Sequence, residues 1–459
     1  MKARMLALAA LVTTAAFAAP AADAAVATRD VTIKGWSAPG SPAKYNRVSY
    51  RRYGPADANK VLVLVPGTLA GAGTFDIVAP QLVRKVPGLQ VWAQDRRENA
   101  LEDTALLAKV RAGQATPKQA LDYYLGWVAD PSIQPRYRPW TNAETAFAKR
   151  WGLRVAMEDL RRIVLRARDG GKRTVILGGH SLGGAEAAIY PTWDFNGRPG
   201  YRDIAGVVAI DGGWTVADQR VTPAQARSQL AELDTKGPWT DLLGLGLPWT
   251  AGAFGEIAAA AALRAPTEPS ILQAFPLLPP SFKAPEPLTN RAALGFAFDV
   301  KTSPQALALI HIHSGAIAPQ GPLRDWVDDG ITPIGNLAQA FTSPRLTAQA
   351  WYFPSRLSID ARAARSNPGT AVSKLLDLRV RHVAGVDVPY YAFQAELAGR
   401  GNALARGAKD FQRRSRIPSV TVVNRRTTYA HLDPLLAAEG RNDFVATVAP
   451  WLRKIRAGG

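Results

Sequence analysis

Cysteine is absent from all 459 residues. That excludes disulfides, thiolate metal sites, a cysteine nucleophile and a lipid-modified cysteine anchor. Histidine is scarce: any imidazole chemistry must come from His180, His311, His313, His382 or His431. Acidic residues are outnumbered, 37 against 56 basic ones, which leaves a formal net charge of +19. Such a charge suits nucleic acid, an anionic surface or acidic substrates. The basic residues are scattered, however, with only short clusters such as "RRIVLRARDGGKR" and "FQRRSR", and no zinc-finger spacing or RNA-binding signature accompanies them. The charge therefore reads as a solubilising surface, and no nucleic-acid partner is expected. Internal repeats are also missing. Hydrophobic residues make up 47%, enough for a large core, so a globally disordered chain is excluded.

Long apolar runs are rare too. The N-terminal one, Met5 to Ala19, is too short for an ordinary membrane span. It follows Lys2 and Arg4 and precedes small residues, the pattern of an export signal. Cleavage is expected at Ala22-Asp23-Ala24, with Ala16-Phe17-Ala18 as the earlier choice, so residues 1–24 read as a signal peptide. The mature protein would then be secreted or periplasmic, with no stable membrane span. The run "LLGLGLPWTAGAFGEIAAAAALRA" is apolar, but Pro248 and Glu256 argue against a span, and a buried helix is expected there.

What is present is an alternation of strand and helix. "DVTIKGW" and "NRVSYRRYG" are extended, "KVLVLVPG" is a buried strand ending at a turn, and "TFDIVAPQLVRKV" has helical spacing. "LQVWAQD", "TVILGGHS" and "IAGVVAIDGG" continue the strands. "NAETAFAKRWGLRVAMEDLRRIVLRARDGG" reads as one long helix ended by glycines. Continuous apolar strands between helices imply a mostly parallel sheet covered on both faces. A small insertion, Glu98 to Thr141, interrupts this rhythm. A larger one, 214–376, is rich in proline and aromatic residues. The rhythm resumes with "VDVPYYAFQAE", "SVTVVNRRTTYAH" and the amphipathic "RNDFVATVAPWLRKI". The expected organisation is one α/β domain in two parts, 25–213 and 377–459, around the 214–376 insertion.

Gly179-His180-Ser181-Leu182-Gly183 is G-x-S-x-G at a strand-to-helix corner. Small residues allow a very tight turn, which lifts the serine hydroxyl clear of the backbone. The N–H of Leu182 would lie at a helix start, where N–H groups are unpaired and the dipole favours negative charge. A serine alcohol needs a base. His180 is expected to point away from its neighbour, His382 has no evident role, and the His311/His313 pair lacks a third ligand, so no metal or other cofactor is expected. His431, in the loop after the last strand, is the candidate.

"GHSLGG" and "YAHLDPL" resemble the α/β-hydrolase superfamily, over about 190 residues before the large insertion and about 80 after it. The resemblance implies Ser181 as nucleophile and His431 as general base and acid. It implies that the N–H groups of Thr68, in "LVPGT", and Leu182 form the oxyanion hole, although Pro66 replaces the usual histidine of that loop. "AQDRRENALED" resembles the Asp-x-Arg-Gly segment, with Arg97 and Glu98 where glycines are usual and Asp95 as a structural residue. The acid is expected at Glu396, in the loop after the penultimate strand. Asp211 is the alternative, and Asp410 is less well placed.

The resemblance also makes the large insertion a mainly helical cap after the sixth strand. Trp239, Trp249, Trp326, Trp351 and Tyr352 would form its own core or line an apolar acyl pocket over Ser181. The implied activity is hydrolysis of a small-molecule or lipid-like carboxylic ester through an acyl-enzyme. The alternatives are an amidase or aminopeptidase of the same fold and a catalytically silent binding module. No pattern in the sequence speaks to oligomeric state.

Overall fold

A computed structural model describes residues 25–215, 220–307, 310–366 and 369–456. Residues 1–24, read above as an export signal, lie outside them. Eight strands form one sheet: β1 Thr28–Lys34, β2 Arg47–Tyr53, β3 Lys60–Val65, β4 Leu89–Asp95, β5 Thr174–His180, β6 Val207–Ile210, β7 Tyr390–Gln394 and β8 Val420–Asn424. Their order is β1-β2-β4-β3-β5-β6-β7-β8. Only β2 runs antiparallel to its neighbours. The side-chain pattern explains the positions. Val61 to Val65 and all of β4 are buried, as strands covered on both faces must be, whereas the edge strands β1 and β8 are partly exposed.

Helices cover both faces. On one, α1 (Val78–Lys85) and the C-terminal α10 (Asp443–Lys454) pack through Leu82, Phe444, Val448 and Leu452. On the other lie α2 (Leu153–Arg168), α3 (Leu182–Ile189) and α9 (Ala403–Arg413). The single long helix expected before β5 is instead a short 3₁₀ turn, Ala146–Arg150, followed by α2. The break has a tertiary cause. Asp360, from the large insertion, accepts the N–H of Leu153 at 3.0 Å and so supplies the helix N-terminus from outside.

The large insertion contributes α4 (Pro223–Lys236), α5 (Thr250–Arg264), α6 (Asn290–Phe298), α7 (Ile334–Phe341) and α8 (Ser355–Ser366), with one small two-stranded ribbon. It is not a separate body. Leu294, Leu337 and Ala259 extend the first apolar layer, and Leu357, Ala363 and Ala364 extend the second. Trp239, Trp249, Trp351 and Tyr352 pack with Tyr124 and Tyr137 of the smaller insertion into a third, aromatic cluster. Trp326 is buried as well and donates to Ser314. The aromatic residues singled out in the sequence are thus committed to packing. The apolar α5 is buried along most of its length, and no described helix is long and apolar enough to cross a membrane.

Candidate functional site

Ser181 sits between the end of β5 and the start of α3 with φ 56 and ψ −121, a backbone conformation a β-carbon disfavours. The turn is held from both sides. The Ser181 N–H donates to Ile210 of β6 at 2.9 Å, and its carbonyl begins the ladder of α3 by accepting from Ala185. Gly183 permits the close approach this requires, since a β-carbon there would lie 2.0 Å from the Val65 carbonyl. Strained serines fixed by surrounding structure in this way are typical of functional sites.

His431 lies in the loop after β8 and is buried. Its Nδ1 is 2.6 Å from Oδ2 of Asp211. A carboxylate accepts, so Nδ1 carries the proton and Nε2 is left as the basic nitrogen. Asp211 is fully enclosed just beyond β6, at φ 42. Its two oxygens also accept the N–H groups of Ala395, at 2.9 Å, and Leu397, at 3.1 Å.

The expectation that Glu396 orients His431 is therefore wrong. The segment after β7 does reach the site, but it turns its backbone inward. Alternate amides, at 395 and 397, face Asp211, and the intervening Glu396 side chain is exposed. Asp410 lies elsewhere, on α9, accepting the Trp214 indole N–H.

His180 is a second correction. Its side chain does not point away from the site. It is buried, its ring lies 4.3 Å from that of His431, and its Nε2 is 2.9 Å from the His431 carbonyl. A carbonyl only accepts, so Nε2 carries a proton. Burial and the neighbouring imidazole hold its pKa well below the ordinary histidine value.

The loop carrying His431 is braced once more by Asp433. That residue accepts the N–H groups of Ala430 at 2.7 Å and His313 at 3.0 Å, the Thr332 hydroxyl at 2.7 Å, and Nδ1 of His313 at 2.7 Å. His311 reaches the same loop through its carbonyl, which accepts from Leu432. His382 pairs with Asp194 at 3.0 Å. Among the described residues no group of three or more histidines and carboxylates is placed to hold a metal ion.

The loop after β3 completes the surroundings. A β-carbon on Gly67 would be 3.1 Å from Cβ of Ser181, which places this loop against the Ser181 corner. Thr68 is exposed, while Leu69 and Leu182 are half-buried and offer apolar surface beside Ser181. The large insertion clamps the loop from above. The Leu69 carbonyl accepts from Ala350 and the Gly71 N–H donates to Ala348. Below it, Asp95 accepts from Ala72 and Asn99, a bracing role. Arg96 and Arg97 are both buried, Arg97 paired to Asp159 at 2.7 Å and Arg96 to Glu186 at 2.7 Å. Nothing in the sequence distinguishes these buried arginines from surface ones.

No family sequence model and no curated protein matches this chain. Solved structures do. A putative lipase from Sulfolobus solfataricus matches at 16% identity over 94% of this chain and 95% of its own, with a TM-score of 0.50. An open-form lipase matches at 13% identity over 94% and 99%, TM-score 0.43, and epoxide hydrolase A from Mycobacterium thermoresistibile at 14% over 94% and 100%, TM-score 0.41. The parallel sheet with one antiparallel strand and helices on both faces, together with the first of these matches, shows that the chain has the α/β-hydrolase fold.

Proposed function

We propose that this protein is an exported serine hydrolase acting on carboxylic esters, with Ser181, His431 and Asp211 as its triad. The observation that supports this is a strained serine whose sequence neighbour, His180, lies against a histidine held at Nδ1 by a buried aspartate. In the first step Ser181 Oγ attacks the ester carbonyl carbon while His431 Nε2 takes the hydroxyl proton. The oxyanion would be met by the N–H groups of Thr68 and Leu182. Collapse expels the alcohol, which receives the proton from His431, and leaves an acyl-serine. Water, deprotonated by the same nitrogen, releases the acid and restores the serine. Asp211 stays ionised throughout, fixing the tautomer and stabilising the imidazolium.

The half-buried Leu69 and Leu182 support an apolar acyl group beside the corner. Burial contributes roughly 25 cal/mol per Å² before association costs, so kcat/KM should rise with acyl length until that space is filled. The test is covalent. A fluorophosphonate should label Ser181, and p-nitrophenyl esters should be turned over by the wild type and not by Ser181→Ala. Labelling at another serine, or full activity in Ser181→Ala, refutes the reading.

A further inference from the structure

Arg96 is almost completely buried, and its guanidinium does something the pairing with Glu186 alone does not require. One terminal nitrogen donates to the Gly67 carbonyl at 2.8 Å, and the other donates to the Pro66 carbonyl at 2.6 Å and to Glu186 at 2.7 Å. Two successive carbonyls of the loop after β3 therefore converge on one planar fork, and Glu186 anchors that fork to α3, the helix that Ser181 begins.

A trans peptide holds its C=O and N–H on opposite sides. The Gly67 carbonyl belongs to the same peptide as the Thr68 N–H. With that carbonyl pinned to Arg96, the Thr68 N–H must point the other way. Gly67 itself faces Ser181, and Gly183 of α3 lies against the Val65 and Pro66 carbonyls. A half-turn of the 67–68 peptide would reverse this and aim a carbonyl oxygen, an acceptor, where a donor is needed. Thr68 itself is exposed, so the constraint on this peptide has to come from its carbonyl partner.

The energetics point the same way. A buried ion pair costs more desolvation than a surface pair and is weak evidence for stability. Arg96 Nε and Glu186 Oε2 have no hydrogen-bond partner, so the pair is not arranged for full satisfaction. Its geometry is instead spent on the two loop carbonyls. We infer that Arg96 is a positioning residue that sets the oxyanion hole, holding the Gly67–Thr68 peptide with its N–H toward the Ser181 adduct and tying it to the nucleophile helix through Glu186. This rests on the serine-hydrolase reading above.

The experiment compares wild type with Arg96→Lys, Arg96→Gln and Glu186→Gln. Each is assayed for kcat and KM on a p-nitrophenyl ester and for inhibition by a trifluoromethyl ketone. Ser181 Oγ adds to the ketone's carbonyl carbon as the serine proton goes to His431, and the opened C=O bond leaves an oxyanion in the hole. Losing one such donor costs about 10²–10³-fold in other enzymes. Arg96→Gln should lose about 10²-fold in kcat and the same factor in ketone affinity, with KM changed by less than about threefold. Lysine keeps the charge but lacks the fork, so Arg96→Lys should fall between Gln and wild type. Glu186→Gln should lose about tenfold in both quantities, and it carries the test if the Arg96 variants do not fold. Unchanged kcat and unchanged ketone affinity in folded variants overturn the inference, as does a rise in KM alone. A wild type that neither labels with fluorophosphonate nor binds the ketone overturns the serine-hydrolase reading instead.

Discussion

Two histidine–aspartate pairs lie in or beside one loop, and their Nδ1–carboxylate distances are nearly equal. His431 Nδ1 meets Asp211 at 2.6 Å, and His313 Nδ1 meets Asp433 at 2.7 Å. Both aspartates are fully buried, and both also accept backbone N–H groups. What differs is the other edge of each ring. His431 is buried beside His180, next in sequence to Ser181. The His313 side chain is about a third exposed, and its pair serves Ala430 and Thr332, fastening the loop that carries His431. A hydrogen-bonded histidine and aspartate are therefore not a mark of catalysis by themselves. In the function proposed above, the His431–Asp211 pair does chemistry and the His313–Asp433 pair is scaffolding.

The largest test of that contrast is kinetic. His431→Ala should abolish ester turnover, and Asp211→Asn should lower kcat by about 10²–10⁴-fold, because the amide no longer fixes the productive tautomer. Glu396→Gln should stay within about twofold of wild type, since its side chain is exposed. Steady-state kinetics on one ester decides the ranking, and a larger loss in Glu396→Gln than in Asp211→Asn would reverse the assignment of the acid.

Asp433→Ala comes next. It leaves two N–H groups, a hydroxyl and an imidazole without their acceptor. The expected cost is about 3 kcal/mol in denaturant unfolding, with about a tenfold loss of kcat because the His431 loop loosens. A kcat loss as large as that of Asp211→Asn would mean the two pairs are not distinct in role.

A third kind of carboxylate sharpens the comparison. Glu256 on α5 is as enclosed as Asp211, but its Oε2 receives the Trp351 indole N–H at 3.2 Å and, among the described residues, its Oε1 has no hydrogen-bond partner. Burial pushes its pKa up to about 8. A raised carboxyl pKa means the native state binds the proton more tightly than the unfolded chain. That contribution is full at low pH and is lost as pH rises from the ordinary glutamate value through about 8. Glu256→Gln, which is neutral at every pH, should therefore raise Tm at pH 9 by an amount on the order of 1–2 kcal/mol of stability. The gain should be smaller at pH 6 and vanish only at or below the ordinary glutamate value. Thermal melts at pH 9, 6 and 4 check both the sign and the disappearance.

The smallest effect belongs to His313. The hydrogen bond to Asp433 raises its pKa above the ordinary histidine value. Its stabilisation is therefore complete below that ordinary value and is lost as pH rises through the raised one. The stability difference between wild type and His313→Gln should be larger at pH 5.5 than at pH 9, by about 1 kcal/mol or less. An equal difference at both pH values would show that the His313–Asp433 contact contributes nothing through charge.

Sequence alone determined whatever is encoded by neighbours along the chain. The runs "KVLVLV" and "LQVWAQD" are strands because an unbroken apolar stretch of that length has to be covered on both faces, and the glycines around Ser181 mark a corner only small residues can turn. The place of His431, after the last strand and in the loop that returns to the corner, follows from the order of the motifs. Tertiary structure decided what depends on how distant segments face each other. Whether Asp211 or Glu396 holds His431 turned on which side of the backbone after β7 looks inward. Amides 395 and 397 do, and the Glu396 side chain is exposed. The long helix broke at Gly152 because Asp360, some two hundred residues away in sequence, caps Leu153. His180 joined the site, and Arg96 the loop above it, because burial leaves a polar group only the partners that packing brings within reach, and no local pattern in a sequence records those.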